Sequence, residues 1–225
     1  MKNVLITGAT RGLGRALTVQ LCEQGYRVYA SGRDAEALAQ LQQQTGCLGS
    51  CADLADAEQV TALYQRASDA LGGIEVLINN AGMNTRKAAV VDTELAEFEW
   101  QYAVNLRAPY LLCRAAMSEM QPRGAGQIIN VISTVAKRSS PTMGVYTTMK
   151  QGLAGLNNVL MKEAQPLGIK VTAVYPGGMD TEFRDQARPQ YIRPEQAAQK
   201  IVQLIQDPPE LVTHELLFRP PAELE

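Results

Sequence analysis

Seven short apolar runs, separated by longer segments with apolar residues three or four apart, constrain this chain more than any other feature of its sequence. The runs cover residues 4–7, 27–31, 47–52, 75–79, 127–132, 170–175 and 216–218. Between them, residues 12–24, 34–44, 56–71, 94–120, 141–165 and 194–206 carry helix formers at helical spacing. Strands alternating with amphipathic helices predict an α/β fold. The expected architecture is a Rossmann-type, doubly wound sheet of about seven mostly parallel strands, with helices on both faces.

Signals at the predicted helix ends agree with this division. Asp34 and Asp56 stand where an N-cap carboxylate is needed, and Ser140 followed by Pro141 supplies a cap and a first-turn proline. Gly25, Gly72 and Gly168 fall where helices must stop and the chain turns back toward a strand. Neither a repeat nor an interdomain linker interrupts the 225 residues, so one domain spanning 1–225 is expected, with a short substrate loop near 181–194.

Composition narrows the function. A hydrophobic fraction of 46% and a charged fraction of 20% are ordinary for a soluble globular protein. The net charge of −2 creates no field that would gather nucleic acid or an anionic membrane, which points to a small-molecule partner. The apolar start at Val4, Leu5 and Ile6 is too short for a secretory core or a membrane span, so a cytoplasmic location is expected. Cys22, Cys47, Cys51 and Cys113 lack CxxC spacing and read as buried free thiols. With His214 as the one histidine, a Ser/His/Asp hydrolase or a histidine-rich metal site is disfavoured, and no metal is expected.

The first strand runs into TGATRGLG at residues 7–14 and then into an amphipathic helix. Lacking Cβ atoms, Gly8, Gly12 and Gly14 permit a tight turn and let the backbone approach a pyrophosphate, whose charge suits the free N–H groups at a helix start. The spacing is GxxxGxG, not the GxGxxG of the general dinucleotide fingerprint, and a plain strand-to-helix loop is the alternative. After the second strand the chain reads Ala30, Ser31, Gly32, Arg33. Gly32 stands where a carboxylate would bind the ribose of NAD and repel a 2′-phosphate; Arg33, with Arg11 from the glycine turn, could neutralise that phosphate. NADP(H) is therefore the preferred cofactor. The rival reading has Asp34 reaching the ribose of NAD(H), against its better placement as a helix cap.

Tyr146 and Lys150 lie four residues apart within a helical pattern, so both side chains share one face. A free tyrosine has a pKa of ~10, too high for efficient proton exchange at neutral pH, and a neighbouring ammonium lowers it. Tyr146 is thus a candidate general acid/base, although a tyrosine and a lysine at this spacing are by themselves an ordinary helix surface.

Further motifs occur in order along the chain: Asp53 after the third strand, NNAG at 79–82, Asn105 in VNL, Ser133 after INVI, YTTMK at 146–150 and YPGGMDT at 175–181. Together with the glycine turn they resemble the short-chain dehydrogenase/reductase family over residues 1 to about 183. The resemblance implies an NADP-dependent oxidoreductase, such as a carbonyl reductase or alcohol dehydrogenase, that works by reversible hydride transfer. It implies Tyr146 for proton transfer, and Lys150 for the ribose hydroxyls and for lowering the tyrosine pKa. Ser133 would hydrogen-bond the substrate oxygen, and Asn105 would hold a water linking Lys150 to solvent. Ser133 could instead merely end a strand, and Asn105 could satisfy a helix irregularity.

The same resemblance implies cofactor contacts from Gly8, Thr10, Arg11, Gly12, Leu13 and Gly14 in the glycine turn, and from Arg33. Asp53 would meet the adenine amino group beside Leu54. Asn79, Asn80, Ala81 and Gly82 would support the adenosine side, while Pro176, Gly177, Met179 and Thr181 would hold the nicotinamide end. Asn79 and Asn80 could equally fix a neighbouring strand through side-chain hydrogen bonds. A homodimer or homotetramer on the two longest helical segments is also implied, although the sheet could satisfy their apolar faces.

Departures from the family pattern concern the substrate. Thr134, Val135, Ala136, Lys137 and Arg138 follow Ser133 where a second serine and a glycine are more usual, and the segment between Thr181 and Pro194 is short for a lid. Arg86, Lys87, Lys137, Arg138 and Arg184 could recognise an acidic substrate or be solvated surface. Three function classes compete: an NADP-dependent reductase (or an NAD-preferring relative of it), a non-catalytic dinucleotide-binding regulator, and an epimerase or dehydratase on the same fold. The first has its full set of Asn105, Ser133, Tyr146 and Lys150; the third needs a larger C-terminal region.

Overall fold

The computed structural model describes residues 2–181 and 188–223. Along the chain the strands are β1 (Asn3–Thr7), β2 (Arg27–Gly32), β3 (Leu48–Cys51), β4 (Val76–Asn79), β5 (Gly126–Val131), β6 (Ile169–Pro176) and β7 (Glu215–Phe218). The α-helices between them are α1 (Gly12–Glu23), α2 (Ala35–Thr45), α3 (Ala57–Leu71), α4 (Leu95–Tyr102), α5 (Ala108–Met120), α6 (Gly144–Ala164) and α7 (Pro194–Gln206). All seven predicted strand segments form, in the order β3-β2-β1-β4-β5-β6-β7, and every pair is parallel, where mostly parallel was expected.

Strand periodicity divides the core. On β1, Val4 and Ile6 face one side and pack with Leu17 and Leu21 of α1 and Ile201 and Ile205 of α7. Leu5 faces the other side, among Leu63 of α3, Leu112 of α5 and Leu160 of α6. Each of these side chains is at least nine-tenths buried, and full burial of one stabilises the fold by about 1.5–3 kcal/mol. Since β2 and β4 lie on opposite sides of β1, consecutive crossovers leave β1 in opposite directions. The carboxyl ends of β1 and β4 thus open a crevice between diverging loops, where α/β sheets bind ligands.

Helix starts follow local chemistry in two cases and depart from it in two. Asp34 caps α2 by accepting from Glu36 N and Ala37 N, both at 3.0 Å, and Asp56 caps α3 through Glu58 N and Gln59 N. The helix expected from 141 begins instead at Gly144, because Thr142 takes a left-handed φ of 65° that interrupts it; Ser140 and Pro141 lie outside α6. The single helix expected over 94–120 is interrupted by a π-helical turn, Ala103–Arg107, between α4 and α5. Such a turn inserts one residue and rotates the segments on either side relative to each other. Burial of Cys47 and Cys113 matches expectation, whereas Cys22 is half-buried and Cys51 is exposed at the end of the edge strand β3.

Candidate active site

The crevice is a cleft of about 670 Å³, running from the end of β2 past β1 and β4 to the end of β6. Its volume falls within the range typical of sites that enclose a small organic ligand. Gly8 and Gly12 have φ of 63° and 50°, which L side chains rarely adopt. A Cβ on Gly14 would lie 2.0 Å from Gly8 O, and one on Gly8 would lie 2.8 Å from Ala81 Cα. The three glycines therefore let β1, β4 and α1 converge. The side chain of Arg11, the N-cap of α1, makes no capping hydrogen bond, and the helix start lines the cleft, where its first N–H groups suit an anion.

All of the predicted cofactor contacts except Asn79 line this cleft: Gly8 and Thr10 to Gly14, Arg33, Asp53 and Leu54, Asn80 to Gly82, and Pro176, Gly177, Met179 and Thr181. Asn80 has a second task, donating from Nδ2 to Thr7 O and Gly8 O at 3.0 Å and so joining the ends of β1 and β4. Asn79 does not line the cleft. Its amide donates to Asn130 Oδ1 at 2.8 Å, and Asn130 donates to Asn157 Oδ1 at 2.9 Å, a buried string tying β4 to β5 and α6. Here the structural alternative holds.

At the other end, Tyr146 and Lys150 project from the first turns of α6 into the cleft, 8% and 2% exposed. The Lys150 ammonium lies 5.8 Å from the Tyr146 ring centroid and donates to Val131 O at 3.1 Å. Burial disfavours its charged form and pulls its pKa down to about 8, so near neutral pH it is still mostly protonated. Ser133 lines the cleft just beyond β5, where its Oγ accepts from Val135 N at 3.3 Å.

Asn105 is fully buried in the π-helical turn and does not line the cleft. Its amide donates to Met83 O and Gln101 O, and its Oδ1 accepts from Met83 N at 3.1 Å. It thereby fixes the loop after β4 on the helix irregularity. A Cβ on Gly82 would meet Lys150 Nζ at 2.9 Å and Asn105 Oδ1 at 3.1 Å. Gly82 is the spacer that lets the lysine lie against this loop.

Several lining residues carried no signal that the sequence reading used. Arg15 lies one helical turn after Arg11 and shares its face, a spacing that could have revealed it. Trp100, Met143 and Glu223 reach the cleft from segments distant in sequence. Among the basic residues offered for an acidic substrate, Lys137 is committed to Glu215 at 2.9 Å and to the Tyr175 ring. Arg86, Lys87 and Arg138 are exposed and do not line the cleft. Arg184 and the rest of residues 182–187 in the 181–194 loop lie outside the described residues.

A family model for short chain dehydrogenase matches residues 2–192. The chain belongs to the short-chain dehydrogenase family. It is an oxidoreductase of that family, and its cleft fits a nicotinamide dinucleotide by its glycine cradle and the helix start that lines it. A 3-oxoacyl-[acyl-carrier-protein] reductase, FabG, of Staphylococcus aureus is 33% identical over 192 residues, covering 82% of this chain and 77% of the relative. A 3beta-hydroxysteroid dehydrogenase of Mediterraneibacter gnavus is 31% identical, covering 83% and 69%. Among solved structures, a metagenomic short-chain oxidoreductase in complex with NADP superposes with a TM-score of 0.87 at 30% identity, over 97% of this short-chain dehydrogenase and 96% of the other chain. Among the described residues no helix is long and apolar enough to cross a membrane.

Proposed function

We propose that this protein is an NADP-dependent carbonyl reductase or alcohol dehydrogenase acting on a small molecule, with Tyr146 as its general acid/base. The observation that carries the proposal is the buried Lys150 side chain, its Nζ 5.8 Å from the Tyr146 ring centroid, inside a cleft that continues to a glycine-cradled helix start. A nicotinamide dinucleotide bound there supplies or accepts the hydride. In reduction, Tyr146 gives its phenolic proton to the carbonyl oxygen, and the Lys150 charge favours the phenolate that remains. Accepting from Val135 N leaves the Ser133 hydroxyl its own proton to donate to the same oxygen as charge builds there. One Lys150 donor goes to Val131 O, leaving donors for ribose hydroxyls. Asn105 holds the Met83 loop and, through it, Gly82 against Lys150. A water beside it that relays protons to Lys150 fits this placement.

Preference for the 2′-phosphate rests on three arginines and one carboxylate. Arg11, Arg15 and Arg33 line the adenosine end, and one oxygen of Asp34 is occupied in capping α2. The NADP in the metagenomic relative points the same way. The test follows NADPH and NADH absorbance with aldehydes, ketones and 3-oxo esters, for the native protein and Tyr146→Phe. Turnover that needs Tyr146 and favours NADPH is expected; unchanged turnover in the variant would sink the mechanism.

A further inference from the structure

The sole tryptophan of the chain, Trp100, sits on α4, whose residues Leu95, Phe98 and Tyr102 form an exposed apolar face. Trp100 is two positions beyond Phe98, about 200° around the helix, so it points the other way, and with Val104 one turn later it lines the cleft. Across the opening, Arg33 leaves the end of β2 and lies with its guanidinium carbon 5.7 Å from the Trp100 ring centroid. Its Nη2 also reaches Met83 Sδ at 3.9 Å. Asp53 and Leu54, after the neighbouring strand β3, line the same end of the cleft.

An exposed arginine on a short loop normally samples many rotamers, and ordering it costs part of what its contacts to an anion gain. A tryptophan face is the strongest aromatic partner for a guanidinium, and a guanidinium held by its face keeps in-plane N–H groups for other partners; Nη2 is against Met83 Sδ, and the remaining donors are left for an anion. Arg33 and Trp100 therefore clasp the adenosine end of the cleft from opposite walls.

We infer that Trp100 is a positioning residue for the adenosine 2′-phosphate: it holds the Arg33 guanidinium across the cleft, so its N–H donors are presented to the phosphate before the cofactor arrives. The inference rests on the NADP reading above and extends it to a residue on the far wall. It makes cofactor discrimination a joint property of the loop after β2 and of α4.

The experiment measures binding of adenosine 2′,5′-bisphosphate and of 5′-AMP by titration calorimetry to the intact protein and to Arg33→Ala, Trp100→Leu, Trp100→Phe and the double variant Arg33→Ala/Trp100→Leu. Arg33→Ala should weaken the bisphosphate by about 10- to 100-fold, the scale of a lost charge-assisted contact, and leave 5′-AMP nearly unchanged. Trp100→Leu should weaken the bisphosphate selectively by about 3- to 10-fold. Trp100→Phe, which keeps an aromatic face, should recover most of that loss, and Trp100→Leu should cost nothing further once Arg33 is gone. Equal weakening of both ligands by Trp100→Leu would make Trp100 a wall for the adenine, and no weakening would make it a bystander; either result overturns the inference while the NADP reading stands. Equal weakening of both ligands by Arg33→Ala would refute the NADP reading itself, and the inference with it.

Discussion

Replacing Lys150 by Met should make the protein more stable while abolishing turnover. The unfolded chain holds this lysine near pKa 10.5 and the folded protein near 8. At about 1.4 kcal/mol per pH unit, that difference costs the folded state about 3 kcal/mol wherever the amine is protonated in both states. The folded pKa lies below the unfolded one, so the penalty is complete below about pH 8 and fades as pH rises toward about 10.5. Methionine fills nearly the same volume without charge, but Val131 O loses its donor, a cost of about 1 kcal/mol. The net expectation is a stabilisation of about 2 kcal/mol near neutral pH, shrinking as the solution becomes alkaline. Urea denaturation midpoints of both proteins, compared at about pH 7, 8.5 and 10, measure it. A gap independent of pH, or a variant less stable than the parent at neutral pH, would refute the argument that burial of this ammonium is a destabilising investment in function.

Three further outcomes follow from the geometry. Gly14→Ala places a Cβ 2.0 Å from Gly8 O, so dinucleotide affinity should fall below detection by calorimetry, together with a drop in thermal midpoint of several degrees. Asp34→Ser keeps a capping oxygen for α2; thermal stability and NADH affinity should both hold, and a selective loss of NADH binding would restore the rival role of Asp34 at a ribose. Asn105→Ala removes three hydrogen bonds at the π-helical turn, which should destabilise the protein by about 2–4 kcal/mol and lower kcat, as read by denaturation and by steady-state kinetics.

Much of the fold was legible because its signals are local. Each inner strand of a covered parallel sheet must be apolar on both faces, and each crossover helix on one, so the runs around Leu5, Leu77 and Val171 are visible as runs. The glycine turn was legible for a similar reason: only residues without a Cβ tolerate the 2.0 Å approach at Gly14. The break at Ala103–Arg107 was only partly legible: Pro109, which has no N–H to offer the preceding turn, marks it locally, but the interruption is also held by Asn105 bonding to Met83 from another loop. The late start of α6 was hidden likewise, since Ser140 and Pro141 form a sound local cap that the left-handed Thr142 overrides.

Tyr146 and Lys150 mark the division most clearly. Their spacing alone determines that both side chains share a helix face, and the order of motifs along the chain determines the family. Tertiary structure decided what that face meets: Val131 O from β5, Gly82 from the loop after β4, and enough surrounding chain to exclude water from the ammonium. It likewise decided that Arg33 meets Trp100, 67 positions away, across an opening neither creates by itself. Periodicity and steric permission are properties of a few neighbouring residues and can be read from the chain. Desolvation and cross-cleft contact depend on which distant segments the sheet brings together, and no local pattern encodes them.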